Sequence, residues 1–380
     1  MSLILPKLIV LDSATLAKVS RDYWSRDKAD RDNARAFIDR LLEQSVYITF
    51  TLTHLMELSQ HGDDGVVRDR IRFLLRLPLV AWLRPYDNSW FPGSVLHLLQ
   101  RELHAVVHDG KRDWQAIVEC VRSDVWETGT GAEIFEGDDR LWLVLRDMAR
   151  HNQRHAQYVA SVLRAQPGNV NNLTVAEIKQ LSKLSRAERD ACMRRFAVTM
   201  KTQLQRHGDQ RLENPEDVAA SFAIDTLRDV QTIEDAGGDF LQKMLEFQGV
   251  PEDLVSDGMT VEDIGRLAVY TTQLSSFSKG LYPRAAVTVH DVPPETLPSY
   301  VLEHRLARIQ RRAERVSGSD FGDVHIAPLT LYADGVEVDK RTHEYLTQLK
   351  RACPEMAGLI RPFFRSKDYA DIPDHSGVAA

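Results

Sequence analysis

Residues 317–342, SGSDFGDVHIAPLTLYADGVEVDKRT, contain five carboxylates, and the rest of the chain can be interpreted around three of them. Asp320 and Asp323 lie at the start of a predicted apolar helix, and a short strand of alternating character ends at Asp339. Aspartate is common at helix starts because its side chain accepts unpaired first-turn N–H groups, which is the simplest explanation of Asp320. A carboxylate at the carboxyl end of a parallel strand, however, lies at the edge where open α/β sheets bind ligands. The stretch therefore predicts an acidic site, provided that other segments supply neighbouring strands.

The N-terminal segment contains such strands. The runs LIVLD at residues 8–12 and VYITF at 46–50 are continuous apolar stretches, as expected for parallel strands buried on both faces. A third strand is predicted at 79–83, with amphipathic helices between the three strands. This β-α-β-α-β alternation predicts an α/β fold with a central parallel sheet. The first strand ends at Asp12, a further carboxylate at the same kind of position.

The pattern changes in the middle of the chain, where segments rich in helix-forming residues dominate. The α/β pattern returns late, with a strand at 335–339, a helix at 341–352 and a last strand near 359–364. We therefore predict one α/β domain assembled from both chain ends. Its predicted parts are residues 1–84 and 317–367, with a large, mainly α-helical insertion at 85–316 and a flexible tail at 368–380.

Composition limits the class of protein. The chain has 380 residues, of which 43% are hydrophobic and 27% charged, as in ordinary soluble globular proteins. The net charge of −7 gives no overall basic field for nucleic acid or membrane, so a polyanion would need a local basic patch. Cys120, Cys192 and Cys353 have no metal-binding spacing, and we expect core positions for them and a reducing, cytoplasmic location. The apolar start is too short for a signal or membrane-spanning helix, and we expect no membrane association.

Four acids occupy strand ends or neighbouring helix starts: Asp12, Glu57, Asp323 and Asp339. Each has an ordinary explanation, because an acid after a strand is often a helix cap and Glu57 alone would be a solvated helix residue. Their joint placement around one sheet is harder to explain by caps alone. Carboxylate oxygens suit Mg²⁺ or Mn²⁺, and such ions stabilise the attacking and leaving oxygens of phosphoryl displacement.

Four short motifs in this order resemble those of PIN-domain nucleases: LIVLDS at 8–13, TLTHLMEL at 51–58, GDVHIA at 322–327 and EVDKRT at 337–342. The resemblance covers roughly residues 7–84 and 317–365. It implies a PIN-like α/β/α sandwich and a metal-dependent ribonuclease specific for single strands. It also implies metal-ligand roles for Asp12, Glu57, Asp323 and Asp339, with Asp320 as an additional acid before the third motif. A minimal PIN domain lacks the long insertion, so substrate and regulation do not follow from the resemblance.

A basic stripe precedes the third motif. Four arginines recur at helical spacing and share one predicted helix face: Arg308, Arg311, Arg312 and Arg315. A solvated face paired with nearby glutamates is one interpretation. The other is a track for substrate phosphates, because guanidinium groups match phosphate oxygens.

From these features we predict a cytoplasmic endoribonuclease that uses Mg²⁺ or Mn²⁺ and cleaves single-stranded RNA. A growth-arresting toxin or an antiviral (phage-defence) effector is a plausible context by analogy. One alternative is a PIN-like protein without catalysis, which binds a protein partner or oligomerises through its helical insertion. A DNA-directed nuclease or a metal-dependent phosphatase is a third interpretation.

Overall fold

The computed structural model describes residues 6–85, 92–135, 145–151, 171–181, 186–207, 214–281, 287–311 and 326–375. These residues form two compact units. The first contains the described residues up to 151 and from Glu295 onward, and the second contains those from 171 to Pro294. None of the helices in the described ranges is long and apolar enough to span a membrane.

The first unit contains a six-stranded mixed sheet. Its strands are β1 (Lys7–Val10), β2 (Val46–Phe50), β3 (Val80–Leu83), β4 (Trp126–Gly129), β5 (Gly335–Glu337) and β6 (Phe363–Phe364). They lie in the order β4-β3-β2-β1-β5-β6, and every neighbouring pair is parallel except β3 and β4. The predicted α/β class and the five predicted strands are therefore confirmed, while the sheet is mixed because of its antiparallel edge strand.

The strands alternate with helices along the chain. Before residue 136 these are α1 (Ser13–Tyr23), α2 (Lys28–Glu43), α3 (Leu52–Ser59), α4 (Asp64–Leu75), α5 (Leu96–Val107), α6 (Trp114–Arg122) and α7 (Gly131–Phe135), and residues 145–151 are also helical. The second unit contains α8 (Val175–Leu181), α9 (Arg186–His207), α10 (Pro215–Asp235), α11 (Phe240–Gln248) and α12 (Val261–Leu281). The C-terminal part adds α13 (Pro298–Arg311), α14 (Lys340–Ala352), α15 (Pro354–Leu359) and α16 (Ile372–His375). Short 3-10 helices occur at Glu252–Leu254, Pro294–Thr296, Ala327–Leu331 and Tyr369–Asp371.

The sheet is buried on both faces. Ile9 and Ile48 pack with helices α1 to α4 in the main apolar core, and Val10 and Ala81 are fully buried as well. Since successive strand side chains point to opposite faces, burial of adjacent residues such as Ile9 and Val10 means that both faces are covered. A second group of helices, α5, α6, α13 and α14, packs together in the same unit.

The sheet extends beyond residue 84, where we placed the start of the helical insertion. Strand β4 pairs with β3 through Trp126 opposite Leu83, and α5 and α6 belong to the same unit. The sequence WETG of β4 has no apolar alternation because the strand lies at an edge and is largely exposed. A second difference concerns the apolar helix that we predicted from residue 319 onward. Of this segment, the structure describes the 3-10 helix Ala327–Leu331.

The second unit is helical in its described part. Helices α8 and α12 both begin after a threonine whose hydroxyl and N–H bond an acid three residues later, Glu177 and Asp263 respectively. This reciprocal capping satisfies N–H groups that a helix start otherwise leaves unpaired. Helices α9 and α10 pack through a small apolar cluster around Met200. We find here the helical character that the sequence predicted for the middle of the chain.

The C-terminal segment is docked rather than flexible between residues 369 and 375. Tyr369 and Ile372 are buried at 4% and 0% exposure within the main core, and the Tyr369 hydroxyl donates to Asp22 at 3.1 Å. The Arg40 guanidinium donates to the carbonyl of Ala370 at 2.9 Å. The polar residues around these two apolar side chains led to the incorrect prediction of a loose tail.

We expect Ile372→Ala to lower the free energy of unfolding by roughly 2–5 kcal/mol, because it leaves a cavity at a fully buried position. Urea denaturation followed by circular dichroism measures this. The matched control is Leu42→Ala, which truncates an apolar side chain that is 45% exposed and should change stability by less than about 1 kcal/mol. Equal, small effects of both changes would contradict docking of the tail.

Candidate acidic site at the edge of the sheet

The two strand-end aspartates meet at one edge of the sheet. Strands β1 and β5 are parallel neighbours with Val10 opposite Val336, and Asp12 and Asp339 each follow their strand by two residues. Because carboxyl ends of parallel strands lie at the same edge, the two side chains share it. The predicted neighbourhood of Asp12 and Asp339 is confirmed.

Both aspartates are also helix caps. One oxygen of Asp12 accepts the N–H of Ala14 at 2.9 Å at the start of α1. The two oxygens of Asp339 accept N–H groups of Thr342 and Arg341, at 2.7 and 3.2 Å, at the start of α14. The capping explanation is therefore correct for each residue, and it does not compete with the site interpretation. The backbone N–H groups fix the direction in which each carboxylate points.

Glu337 is a site residue that the sequence interpretation missed. It is the last residue of β5, only 5% exposed, and its carboxylate accepts the N–H of Asp12 at 3.1 Å and the Thr15 hydroxyl at 2.9 Å. It therefore joins β5 to the start of α1. Its position between two valines, in the stretch VEVD at 336–339, suggested only an alternating strand. An acid at a buried strand position, flanked by apolar residues, was the available signal.

Glu57 approaches from α3, and a buried histidine sets the position of that helix. The Nδ1 atom of His54 accepts the N–H of Thr51 at 3.1 Å, so Nε2 carries the proton and donates to the carbonyl of Leu11 at 3.1 Å. Burial lowers the pKa of His54 to about 4, which keeps the ring neutral at neutral pH. The first turn of α3 is thus bonded to the residue directly before Asp12.

Burial and the charges of neighbouring carboxylates shift the pKa values within the site. Burial raises the pKa of Asp12, opposed by the N–H of Ala14, and the nearby charge of Asp339 raises it further. Burial also raises the pKa of Glu57, opposed by the Ser13 hydroxyl, with an added contribution from Asp12. For Glu337, burial raises the pKa to about 7, hydrogen bonds from Thr15 and Asp12 oppose it, and repulsion by Asp12 adds to it. We call these four residues, Asp12, Glu57, Glu337 and Asp339, the acidic cluster.

Six further residues were predicted for the site, and the structure describes only two of them, Arg308 and Arg311. Asp320, Asp323, Arg312 and Arg315 lie outside the ranges that the structure describes. Arg308 is an exposed residue of α13, and Arg311 is the last residue of that helix. Their predicted roles remain predictions.

The donor set suits a hard divalent cation. All four members of the acidic cluster offer carboxylate oxygens. Burial raises the pKa values of Asp12, Glu57 and Glu337, so the negative charges of these three are held at a cost that a cation would relieve. The carboxylates of the cluster are spread apart. In the described ranges, no three of its carboxylates come within 4.8 Å of one another, a separation met only by His104, His108 and Asp109. Chelation of a cation would therefore need small side-chain movements or shared water ligands, which Mg²⁺ usually keeps.

Comparison of the chain with protein-family models, with curated proteins and with solved structures finds no match.

Replacing Glu337 by Gln should change the pH dependence of stability in metal-free buffer. With a pKa of about 7 when folded and near 4.5 when unfolded, Glu337 holds its proton in the folded state over that window. Stability is then full below the unfolded pKa and is lost as pH rises through about 7, by roughly 3 kcal/mol in total. The variant lacks this loss. The difference in unfolding free energy, variant minus unmodified protein, should therefore be about 3 kcal/mol larger at pH 8 than at pH 4, with the variant relatively more stable at the higher pH.

Urea denaturation at several pH values, with chelator present, measures this difference. Glu355→Gln is the matched control, since Glu355 is an exposed residue of α15 and the same change should leave the difference flat. A flat difference for Glu337→Gln as well would show that this carboxyl is ionised without penalty, contrary to its burial.

Proposed function

We propose that the protein is a PIN-like nuclease that hydrolyses phosphodiester bonds of single-stranded RNA at the acidic cluster, with Mg²⁺ or Mn²⁺ as cofactor. The observation that supports this best is the convergence of Asp12, Glu57, Glu337 and Asp339 from β1, α3, β5 and the start of α14 on one sheet edge. Two parallel strands and two helix starts that merely needed caps would not bring a buried, coupled glutamate to the same place.

The residues of the cluster divide into two kinds of role. Asp12, Glu57 and Asp339 would hold the cation, and Asp320 and Asp323 would complete the set that the motif resemblance implies. When bound, a divalent cation would lower the pKa of a water nucleophile and stabilise the negative charge on the phosphoryl oxygens. Glu337 would position Asp12, because its two oxygens accept the N–H of Asp12 and the hydroxyl of Thr15 in the first turn of α1. His54 does the same for α3 and Glu57.

The charge arrangement favours this chemistry over simple structural capping. Burial, with a smaller contribution from repulsion between the acids, raises the pKa values of Asp12, Glu57 and Glu337, so a bound cation would lower the electrostatic free energy of the folded protein and release protons. A substrate phosphodiester is itself an anion and would be repelled by the same carboxylates. A cationic surface would counter that repulsion. Among the residues that the structure describes, our candidate for such a surface is the exposed Arg308 on α13.

A second function, binding without catalysis, is favoured by a separate observation. Large apolar side chains of the helical unit are exposed, among them Ile224 at 55% and Leu227 at 46%, three residues apart on α10. Phe247 on α11 is 58% exposed. Exposed apolar groups on one helix face are typical of protein contact surfaces. A protein partner or a second copy of the chain is compatible with this feature.

The decisive experiment is incubation of the full chain with single-stranded RNA or DNA in Mg²⁺, Mn²⁺ or EDTA. We expect metal-dependent cleavage of RNA, and a decrease of at least about tenfold in Asp12→Asn, because one ligand charge is removed. Asparagine caps helices as well as aspartate, so the variant should fold, and without metal its melting temperature should be unchanged or higher.

Asp27→Asn is the matched control, because Asp27 caps α2 through the N–H of Ala29 in the same way but is exposed and outside the cluster. It should retain full activity. Undiminished cleavage by Asp12→Asn would show that the acidic cluster is not the active site. No cleavage of either nucleic acid by the unmodified chain would favour the binding function, and cleavage of DNA alone would change the substrate class.

Arg308→Gln should flatten the salt dependence of RNA binding if this arginine contacts a phosphate. Each contact to a single strand contributes about −0.7 to the slope of log affinity against log salt, so the slope should decrease in magnitude by about that amount. Binding is measured in the Asp12→Asn background to prevent cleavage. Arg351→Gln, at an exposed position near the end of α14, is the control and should leave the slope unchanged. Identical slopes for both changes would remove Arg308 from the substrate path.

A further inference from the structure

The C-terminal end of α5 carries a group of metal-ligating side chains that the acidic cluster does not include. His104 and His108 are four residues apart and therefore share one helix face, and their rings stack with centroids 4.6 Å apart and planes at 27°. This i, i+4 spacing is the one by which two helical histidines chelate a single ion. His108 is exposed and His104 half-buried, so solvent reaches both.

Asp109 completes a three-residue group. Its carboxylate oxygens lie 3.8 Å from His104 Nδ1 and 2.9 Å from His108 Nδ1, and one ligand atom from each of the three residues lies within 4.8 Å of the others. The next residue, Gly110, has φ +66°, a left-handed conformation that ends the helix and that glycine adopts without strain.

A fourth donor comes from α6. The thiol of Cys120 lies 3.4 Å from the second carboxylate oxygen of Asp109. Cys120 is half-buried and lines, together with His104, Asp109 and Arg101, a cleft of about 270 Å³. The guanidinium of Arg101 bonds Asp124 in this cleft. The expectation that Cys120 is a core residue is therefore wrong, because the residue is only half-buried, its thiol contacts Asp109, and it lines the same cleft as His104.

We propose that His104, His108, Asp109 and Cys120 form a binding site for a first-row transition metal of the zinc class. Two imidazoles, one carboxylate and one thiolate form a mixed set of the type that zinc takes. With zinc–nitrogen and zinc–oxygen bonds of about 2.0–2.1 Å, tetrahedral ligand atoms are roughly 3.3 Å apart, and a sulfur and an oxygen are roughly 3.5 Å apart. The observed separations of 2.9 to 3.8 Å for nitrogen and oxygen, and of 3.4 Å for sulfur and oxygen, bracket or approach these values.

Charge supports the same conclusion. Asp109 directly follows the last turn of α5, where the carbonyl ends of the helix already give a partial negative charge. A cation ligated by Asp109 and both histidines would compensate the carboxylate and the helix end together.

This site is independent of the proposed nuclease function. It is built from α5 and α6, whereas the acidic cluster is built from β1, α3, β5 and the start of α14. Its nitrogen and sulfur donors prefer Zn²⁺, while the carboxylates of the acidic cluster prefer Mg²⁺ or Mn²⁺. Either proposal can fail without the other.

The test is a competition titration of the full chain with Zn²⁺ against a chromophoric chelator, after removal of metal and with the thiols reduced. We expect one zinc ion per chain, and at least about tenfold weaker binding in His108→Ala. Because His108 is exposed, this truncation leaves the core intact. His151→Ala, at another exposed helical histidine, is the matched control and should bind as the unmodified protein does. Asp12→Asn should also leave zinc affinity unchanged.

Two further measurements examine the thiol. Co²⁺ should give a thiolate-to-cobalt charge-transfer absorption in the unmodified chain and none in Cys120→Ser. Zinc should slow alkylation of Cys120 in the unmodified chain but not in His108→Ala, with Cys192 of the helical unit as the internal reference. Zinc affinity that is unaffected by His108→Ala would overturn the site. Absence of the cobalt absorption, or alkylation of Cys120 at an unchanged rate with zinc, would remove Cys120 from the proposed ligand set.

Discussion

The pairing of β1 with β5 is the constraint on which the first unit and its candidate site depend. It joins residues more than three hundred positions apart: Leu8 and Asp334 exchange two hydrogen bonds of 2.9 Å, and Asp12 donates to Glu337, 325 positions away. Loop closure over such a length costs only slightly more entropy than over a short one, so a long intervening segment is tolerated. The carboxylates converge only when both chain ends have met. The acidic cluster is thus a property of the completed sheet and of neither end alone.

A perturbed carboxyl pKa does not by itself mark the site, as Glu102 shows. Burial raises its pKa to about 7, as for Glu337, yet Glu102 is fully enclosed and bonded to the Tyr332 hydroxyl and the N–H of Ser299. These bonds join α5, α13 and the segment before β5, which is a structural role. Glu102 has an acidic neighbour as well, Glu303. Glu337 differs because its acidic neighbour, Asp12, is itself coupled to Glu57 and Asp339, and these three residues are only half-buried at the sheet edge. The functional assignment therefore depends on coupling among carboxylates and on access, more than on the size of any one shift.

Hydrophobic pattern was sufficient to predict five of the six strands, because strands buried on both faces leave continuous apolar runs such as VYITF. It failed at β4, whose exposed edge position imposes no such pattern, and at Tyr369 and Ile372, two apolar residues in a polar segment. Asp12, Glu57 and Asp339 could be found because strand ends and helix starts follow from that pattern. Glu337 was missed, since the sequence signal was only an acid flanked by valines, and its contacts to Asp12 and Thr15 depend on the register of β1 against β5. The spacing of His104 and His108 is visible in ELHAVVHDG, but the approach of Cys120 depends on the packing of α6 against α5.

The two proposed metal sites make different demands on the protein, and the structure meets each differently. An oxygen-ligand site for Mg²⁺ or Mn²⁺ must tolerate exchange of water and substrate, and the acidic cluster is open, with its carboxylates anchored individually by backbone N–H groups. A nitrogen- and sulfur-ligand site holds its ion through the protein's own donors; ligand atoms of His104, His108 and Asp109 already lie within 4.8 Å of one another, and the Cys120 thiol contacts Asp109. Zinc binds most nitrogen, oxygen and sulfur ligands more tightly than manganese does, so donor softness and preorganisation must direct each metal. In the proposed arrangement, a thiolate and two imidazoles would give zinc a preferred position away from the acids, which would leave the carboxylates to Mg²⁺ or Mn²⁺.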